Sequence, residues 1–161
     1  MKTITFIRHG KSSWEYQVSD KDRPLKERGI NDAKLVAKKF KNLNNKSDFA
    51  YSSPANRALH TSIIFTRILE HNLDFLKVVE ALYDFSGESV LKFLKSLDNN
   101  LDSIMIFGHN YAFTTLVNTL GDDYIENVPT SGLVQIKFDV TNWNNITKGT
   151  TLITIFPKDL K

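Results

Sequence analysis

The run Asp102–Gly108, DSIMIFG, constrains this chain more than any other stretch, because it offers almost no polar face. A strand that is apolar on both sides must be covered on both sides, which is the situation of a central strand in a sheet sandwiched between helices. The neighbouring segments fit that demand. Lys2–Arg8, Asp48–Ser52 and Lys77–Glu80 read as three further strands. Between them, apolar residues recur at helical spacing in Ile30–Leu43, Pro54–Glu70, Gly87–Leu97 and Tyr111–Leu120. Two late runs, Leu133–Val140 and Thr150–Phe156, flank the turn-rich Thr141–Gly149 and predict an antiparallel hairpin added to the sheet. The expectation is an α/β fold with a mostly parallel sheet, built as one domain over residues 1–161.

With 41% hydrophobic residues, the 161-residue chain can bury one sizeable core without covalent staples. The absence of cysteine excludes disulfides, thiolate nucleophiles, zinc–cysteine sites and iron–sulfur clusters together. Twenty-one Lys and Arg against eighteen Asp and Glu leave a formal charge of +3, compatible with an anionic ligand. Most of these cations are Lys spread over polar helix faces such as Lys34, Lys38, Lys39 and Lys41. No basic stripe with interleaved aromatics suggests nucleic acid. No segment reads as a membrane span, and Met1–Gly10 lacks a secretory apolar core, so a cytoplasmic monomer is the expectation.

In open α/β sheets ligands bind beyond the carboxyl ends of the strands, so strand-to-helix turns carry the functional candidates. Arg8-His9-Gly10 ends the first strand, and Gly10 gives the chain freedom to turn out of strand geometry there. After the second strand comes Ser53-Pro54-Ala55-Asn56-Arg57, in which Ser53 reads as an N-cap and Pro54 as the first helical residue. Arg57 then falls on the opening helical turn, beside the partly positive N-terminus. The fourth strand ends in Gly108-His109-Asn110. Two imidazoles and two guanidinium groups therefore head for one sheet edge. Arginine matches phosphoryl oxygens in fixed geometry, and a neutral imidazole can attack phosphorus and hold the group covalently.

These motifs, with Asp22-Arg23-Pro24-Leu25 through Gly29, Ser53-Pro54 through Arg57-Ala58 and Thr61, Glu80-Ala81-Leu82 and Thr130-Ser131-Gly132, resemble the histidine phosphatase superfamily, also called phosphoglycerate mutase-like. Within it the chain looks like the small SixA-type phosphohistidine phosphatases. The resemblance implies a three-layer α/β/α sandwich of phosphoglycerate mutase-like topology. It implies that His9 is the nucleophile, that Arg8, Arg57 and His109 form the phosphate pocket, and that Ser12 adds a hydrogen bond. It implies no metal and no cofactor, since the arginines and a protonated histidine supply the positive charge. Glu15 stands where larger relatives carry a phosphate-binding Asn, and Lys26 where many have a Thr helix cap.

Relatives that act on alkyl phosphates use a carboxyl group to protonate the leaving alkoxide. By position Glu80 is the candidate, with Asp84 and Glu88 as alternates. An imidazole leaving group accepts a proton near neutral pH and departs more readily, which relaxes that need. Relatives that enclose small substrates insert a long roofing segment, and the short stretch between Glu80 and His109 has no room for one. The expected substrate is a phosphohistidine on another protein of phosphorelay type, with inorganic phosphate as product. A phosphatase of small phosphomonoesters and a non-catalytic phosphate-recognition module stay open as alternatives. His60 and His71 are expected in packing and at a helix C-terminus.

Overall fold

In a computed structural model, which describes residues 1–43 and 46–161, a single six-stranded sheet takes strands from both ends of the chain. The strands are β1 (Lys2–Arg8), β2 (Phe49–Ser52), β3 (Leu76–Val78), β4 (Ser103–Gly108), β5 (Leu133–Phe138) and β6 (Thr150–Ile155), in the order β3-β2-β4-β1-β5-β6. β3, β2, β4 and β1 run parallel, while β5 and β6 form the antiparallel hairpin on the β1 side. The helices are α1 (Glu27–Asn42), α2 (Asn56–Ile68), α3 (Glu88–Lys95) and α4 (Ala112–Leu120).

β4 lies between β2 and β1, and Ile104, Met105, Ile106 and Phe107, four of its six residues, are all buried. Alternate side chains serve opposite layers. Ile104 and Ile106 join Ile4, Phe6, Val90, Leu94, Phe113 and Val117 under α3 and α4. Met105 and Phe107 join Ile7, Val36, Phe40, Ile64 and Phe65 under α1 and α2. The apolar run of β4 is thus accounted for by two cores, one on each face, and the architecture is the three-layer sandwich expected. None of the helices among the described residues is long and apolar enough to cross a membrane.

Three local differences from the sequence-based expectation follow from particular contacts. α2 begins at Asn56 with Ala55 as its N-cap, not at Pro54 with Ser53, whose hydroxyl accepts from Ala55 N–H at 3.2 Å ahead of the helix and also meets His109 Nε2. α1 begins at Glu27, three residues ahead of the first apolar position, and its N-cap Lys26 makes no side-chain capping bond. There the backbone does the holding: Lys26 N–H donates to the Lys11 carbonyl at 2.8 Å and Ser13 N–H to the Pro24 carbonyl at 2.8 Å. This pairing lays the loop after His9 against the start of α1 so closely that a Cβ on Gly10 would stand 2.8 Å from the Gly29 carbonyl oxygen. β3 ends at Val78, and Glu80 opens a short 3-10 turn, Glu80–Leu82, instead of closing the strand.

Candidate active site

Strand register sets the site. Arg8 pairs with Gly108 across β1 and β4, and Ser52 pairs with Phe107 and with Val78 across its two neighbours. The parallel strands therefore release His9, Ser53 and His109 at one level of one sheet edge. His9 N–H donates to the Gly108 carbonyl at 3.1 Å and Ser53 N–H to the Phe107 carbonyl at 3.0 Å, which extends the ladder into the turns. On the hairpin side Ser131, at φ 61°, donates its N–H to the carbonyls of Arg8 and His9. The nucleophile candidate is consequently held by backbone on both flanks.

The first turn of α2 reaches the same point. Thr61 accepts from Gly10 N–H at 2.9 Å and donates to the Arg57 carbonyl at 2.7 Å, which ties the His9 turn to the helix. His9 and His109 face each other with ring centroids 5.2 Å apart. Arg57 Nη2 lies 3.5 Å from His109 Nδ1. Arg8 donates from Nη1 to the Val128 carbonyl at 2.9 Å, while Arg8 Nε and Arg57 Nε are buried without a protein acceptor. Arg8, His9, Arg57 and His109 thus come together, two guanidinium donors around two imidazoles.

Hydrogen bonds fix the tautomers. His9 Nδ1 lies 2.7 Å from the Gly10 carbonyl, so Nδ1 carries the proton and Nε2 keeps its lone pair. The Arg57 guanidinium can only donate, which makes His109 Nδ1 the acceptor and puts the proton on Nε2, 2.8 Å from the Ser53 hydroxyl. Both imidazoles are neutral in this arrangement. Burial pushes His9 well below its ordinary value, the nearby His109, Arg57 and Arg8 disfavour its charged form further, and the Gly10 carbonyl opposes the shift. Burial and then Arg57 push His109 down to about 3, with Asp20 opposing. A histidine charged in advance was expected here. A buried imidazole beside two arginines instead becomes easier to protonate only when a phosphoryl dianion brings negative charge.

Other candidates lie apart from this pair. Ser12 is buried, and its hydroxyl accepts from Arg23 Nη2 at 2.6 Å. Glu80 is exposed and pairs with Lys21 at 2.7 Å. Asp84 is committed to structure: its carboxylate accepts from the N–H groups of Ser86, Gly87 and Val90 and so caps α3. Glu88 is exposed in the first turn of that helix. His71 stacks on Phe75 and His60 is half-buried, both remote from these contacts.

Sequence reasoning missed Asp20, Tyr83 and Phe85. Asp20 accepts from Arg57 twice, through its carboxylate at 2.9 Å and its main-chain carbonyl at 2.6 Å. The Tyr83 hydroxyl donates to the same carboxylate at 2.6 Å. Tyr83 and Phe85 place their rings 5.4 and 4.9 Å from that of His109. Arg23 is buried beneath Trp14, whose ring centroid lies 3.2 Å from its guanidinium carbon.

A mixed α/β sheet whose parallel strand ends present two imidazoles among arginines defines a protein with a site suited to an anionic group such as a phosphoryl group. The model of the histidine phosphatase superfamily (branch 1) matches residues 4–86, and the chain belongs to that superfamily, which makes it a phosphatase among the hydrolases. No curated protein sequence matches the chain. Among solved structures it is similar to the protein histidine phosphatase SixA complexed with tungstate, at 23% identity and a TM-score of 0.84, covering 99% of both chains. It is similar also to a protein of Agrobacterium tumefaciens assigned as the phosphohistidine phosphatase SixA, at 25% identity and a TM-score of 0.75, covering 84% of this chain and 91% of that one. An Escherichia coli K-12 protein assigned as an alpha-ribazole-5'-P phosphatase aligns at 14% identity with a TM-score of 0.67, covering 94% and 95%.

Proposed function

We propose that the protein removes the phosphoryl group from a phosphorylated histidine of another protein, through a covalent phosphohistidine on His9. His9 Nε2, freed by the Nδ1–H bond to Gly10, attacks phosphorus as the bond from phosphorus to the substrate imidazole breaks. That imidazole leaves by taking a proton. Water then attacks the phosphoryl group on His9, the P–Nε2 bond breaks, and inorganic phosphate departs. Arg8 and Arg57 hold the phosphoryl oxygens, their unpaired Nε–H groups supplying donors, and carry the charge without a metal. His109 takes up a proton as negative charge collects beside it.

The observation that carries the choice of substrate is the connection between Glu80 and His109. Its ordered elements are the 3-10 turn, α3 and β4, with short links between, so that connection carries no long segment to roof the pocket. A site that cannot enclose and dehydrate a small ester suits a phosphorylated side chain presented by a protein surface. The likeness to the Agrobacterium tumefaciens protein supports the same reading. Glu80, bound to Lys21 at the rim, then has no essential part in expelling an imidazole.

The test offers the purified protein a histidine-phosphotransfer domain phosphorylated on histidine, beside a panel of small phosphomonoesters, with and without EDTA. The expected result is a kcat/KM preference of at least about tenfold for the phosphorylated domain, unchanged by chelator. A preference for a phosphomonoester, or phosphate binding without turnover of any donor, overturns the proposal.

A further inference from the structure

Asp20 poses a problem of charge. It is an exposed anion at the edge of a pocket that is otherwise cationic, and it would repel a phosphoryl group bound there. Two kinds of role are open to such a carboxylate: a displaceable occupant of the anion site, or a fixed strut behind a cation. The contacts favour the strut. Asp20 begins the 3-10 turn Asp20–Asp22, whose Asp22 carbonyl is bound by Asn56 Nδ2 at 3.3 Å on α2. Next along the chain, Arg23 is anchored by Nε to the Ser13 carbonyl at 3.1 Å and reaches the other Asp20 oxygen at 3.4 Å. Arg57 grips the main chain of Asp20 as well as its carboxylate, and an occupant held by its backbone is not free to leave.

We infer that Asp20 is a positioning residue, which clamps the outer edge of the Arg57 guanidinium so that its remaining donors face the reacting phosphoryl group. The inference rests on the reading of Arg57 as a phosphoryl ligand. Arg57 is 2% exposed, and the clamp engages Nη1 and Nη2 while leaving Nε free. Tyr83 completes the strut by donating its hydroxyl to the carboxylate. Asp20 is not a proton donor: burial alone would raise its pKa, but hydrogen bonds from Tyr83 and Arg57 more than offset that and bring it down to about 2. It also opposes the charge of Arg57 at His109, so its removal leaves that imidazole harder to protonate.

A strut and a binding group separate in kinetics. Replacing the carboxylate lessens repulsion toward phosphate, which preserves ground-state binding, while a misdirected Arg57 stabilises the transition state less. Steady-state rates of Asp20→Asn would be measured with phosphoimidazole and with p-nitrophenyl phosphate. The expected result is a fall in kcat of about ten- to a hundredfold with KM changed less than about threefold. Asp20→Glu recovers part of the loss, and Tyr83→Phe lowers kcat by about threefold, a readout that serves alone if Asp20→Asn does not fold. A kcat within threefold of wild type in Asp20→Asn, a loss confined to KM, or an unchanged kcat in Tyr83→Phe overturns the inference. Wild-type protein inert toward both donors and toward a phosphorylated histidine-phosphotransfer domain instead refutes the pocket, and the strut with it.

Discussion

The floor and the rim of the pocket are built differently. On the floor His9 is 8% exposed, Arg57 2% and His109 0%, and each stands one to a few residues beyond a strand whose register is fixed by its neighbours. On the rim Phe85, beside the His109 ring, is 46% exposed, and farther out Trp14, over Arg23, is 75% exposed; both lie outside regular helices and strands. The floor orders its groups through backbone ladders that also hold the core together, so the reacting atoms inherit the rigidity of the sheet. Rim groups are held by side-chain contacts, such as Trp14 over Arg23 and Phe85 against Tyr83 and His109. On the proposed reading, chemistry belongs to the floor and choice of donor to the rim.

The most severe way to break this division is to remove the proposed nucleophile from the floor. His9→Ala is expected to lose activity by at least about a thousandfold, since the remaining pocket can bind phosphate but cannot accept the phosphoryl group. Acid-labile phosphate should be trapped on wild-type protein in rapid-quench experiments and be absent from the variant. Equal labelling of both would move the nucleophile off His9.

Acid offers a second separation. Both floor imidazoles have folded-state pKa values below 6.5, His109 at about 3, whereas the unfolded chain titrates near 6.5. Between those values the unfolded chain binds more protons, so the histidine contribution to stability is complete above pH 6.5 and is lost as pH falls toward 3. Asp20 adds a loss of the same sign lower down, from its ordinary carboxylate value of 3.8 to about 2. Thermal melts should show Tm falling from pH 6.5 downward, while imidazole NMR resonances of His9 and His109 stay neutral at pH 5.5. Resonances of either residue titrating at 6.5 would contradict a dry, cation-rich floor.

The sequence exposed the floor more fully than the rim for a physical reason. Apolar runs such as Ile104–Phe107 and the alternation of strand with helix specify the sheet, and the sheet carries Arg8, His9 and His109 to its edge without further information. Arg57 followed from its place in the first turn of α2, even though the cap proved to be Ala55. The Ser53 hydroxyl was misassigned because a capping residue and a histidine partner look alike in one dimension. Asp20 lies 37 residues from Arg57, in a segment without helical or strand periodicity, and its pairing depends on how the Ser12–Leu25 bridge folds the loop back. Glu80 was placed on a strand by apolar neighbours, but its partner Lys21 sits 59 residues away on that same folded loop.

Glu80 gives the smallest expected effect and the finest test of the boundary between floor and rim. It is the nearest analogue by position of the acid that expels an alkoxide, and a general acid contributes about a hundredfold or more where the leaving group needs it. Its side chain is 72% exposed and its bond is to Lys21, which itself stands over the Tyr83 ring at 4.7 Å. An exposed ion pair contributes little to stability, so Glu80→Gln should fold with an unchanged melting temperature. With phosphoimidazole its kcat should stay within about threefold of wild type, because imidazole leaves without a strong acid. With p-nitrophenyl phosphate, whose leaving group is also a weak base, the change should be equally small. A hundredfold loss on phosphoimidazole would move Glu80 from the rim into the reacting centre, and a loss confined to alkyl phosphates would identify an acid that the phosphohistidine reaction does not call upon.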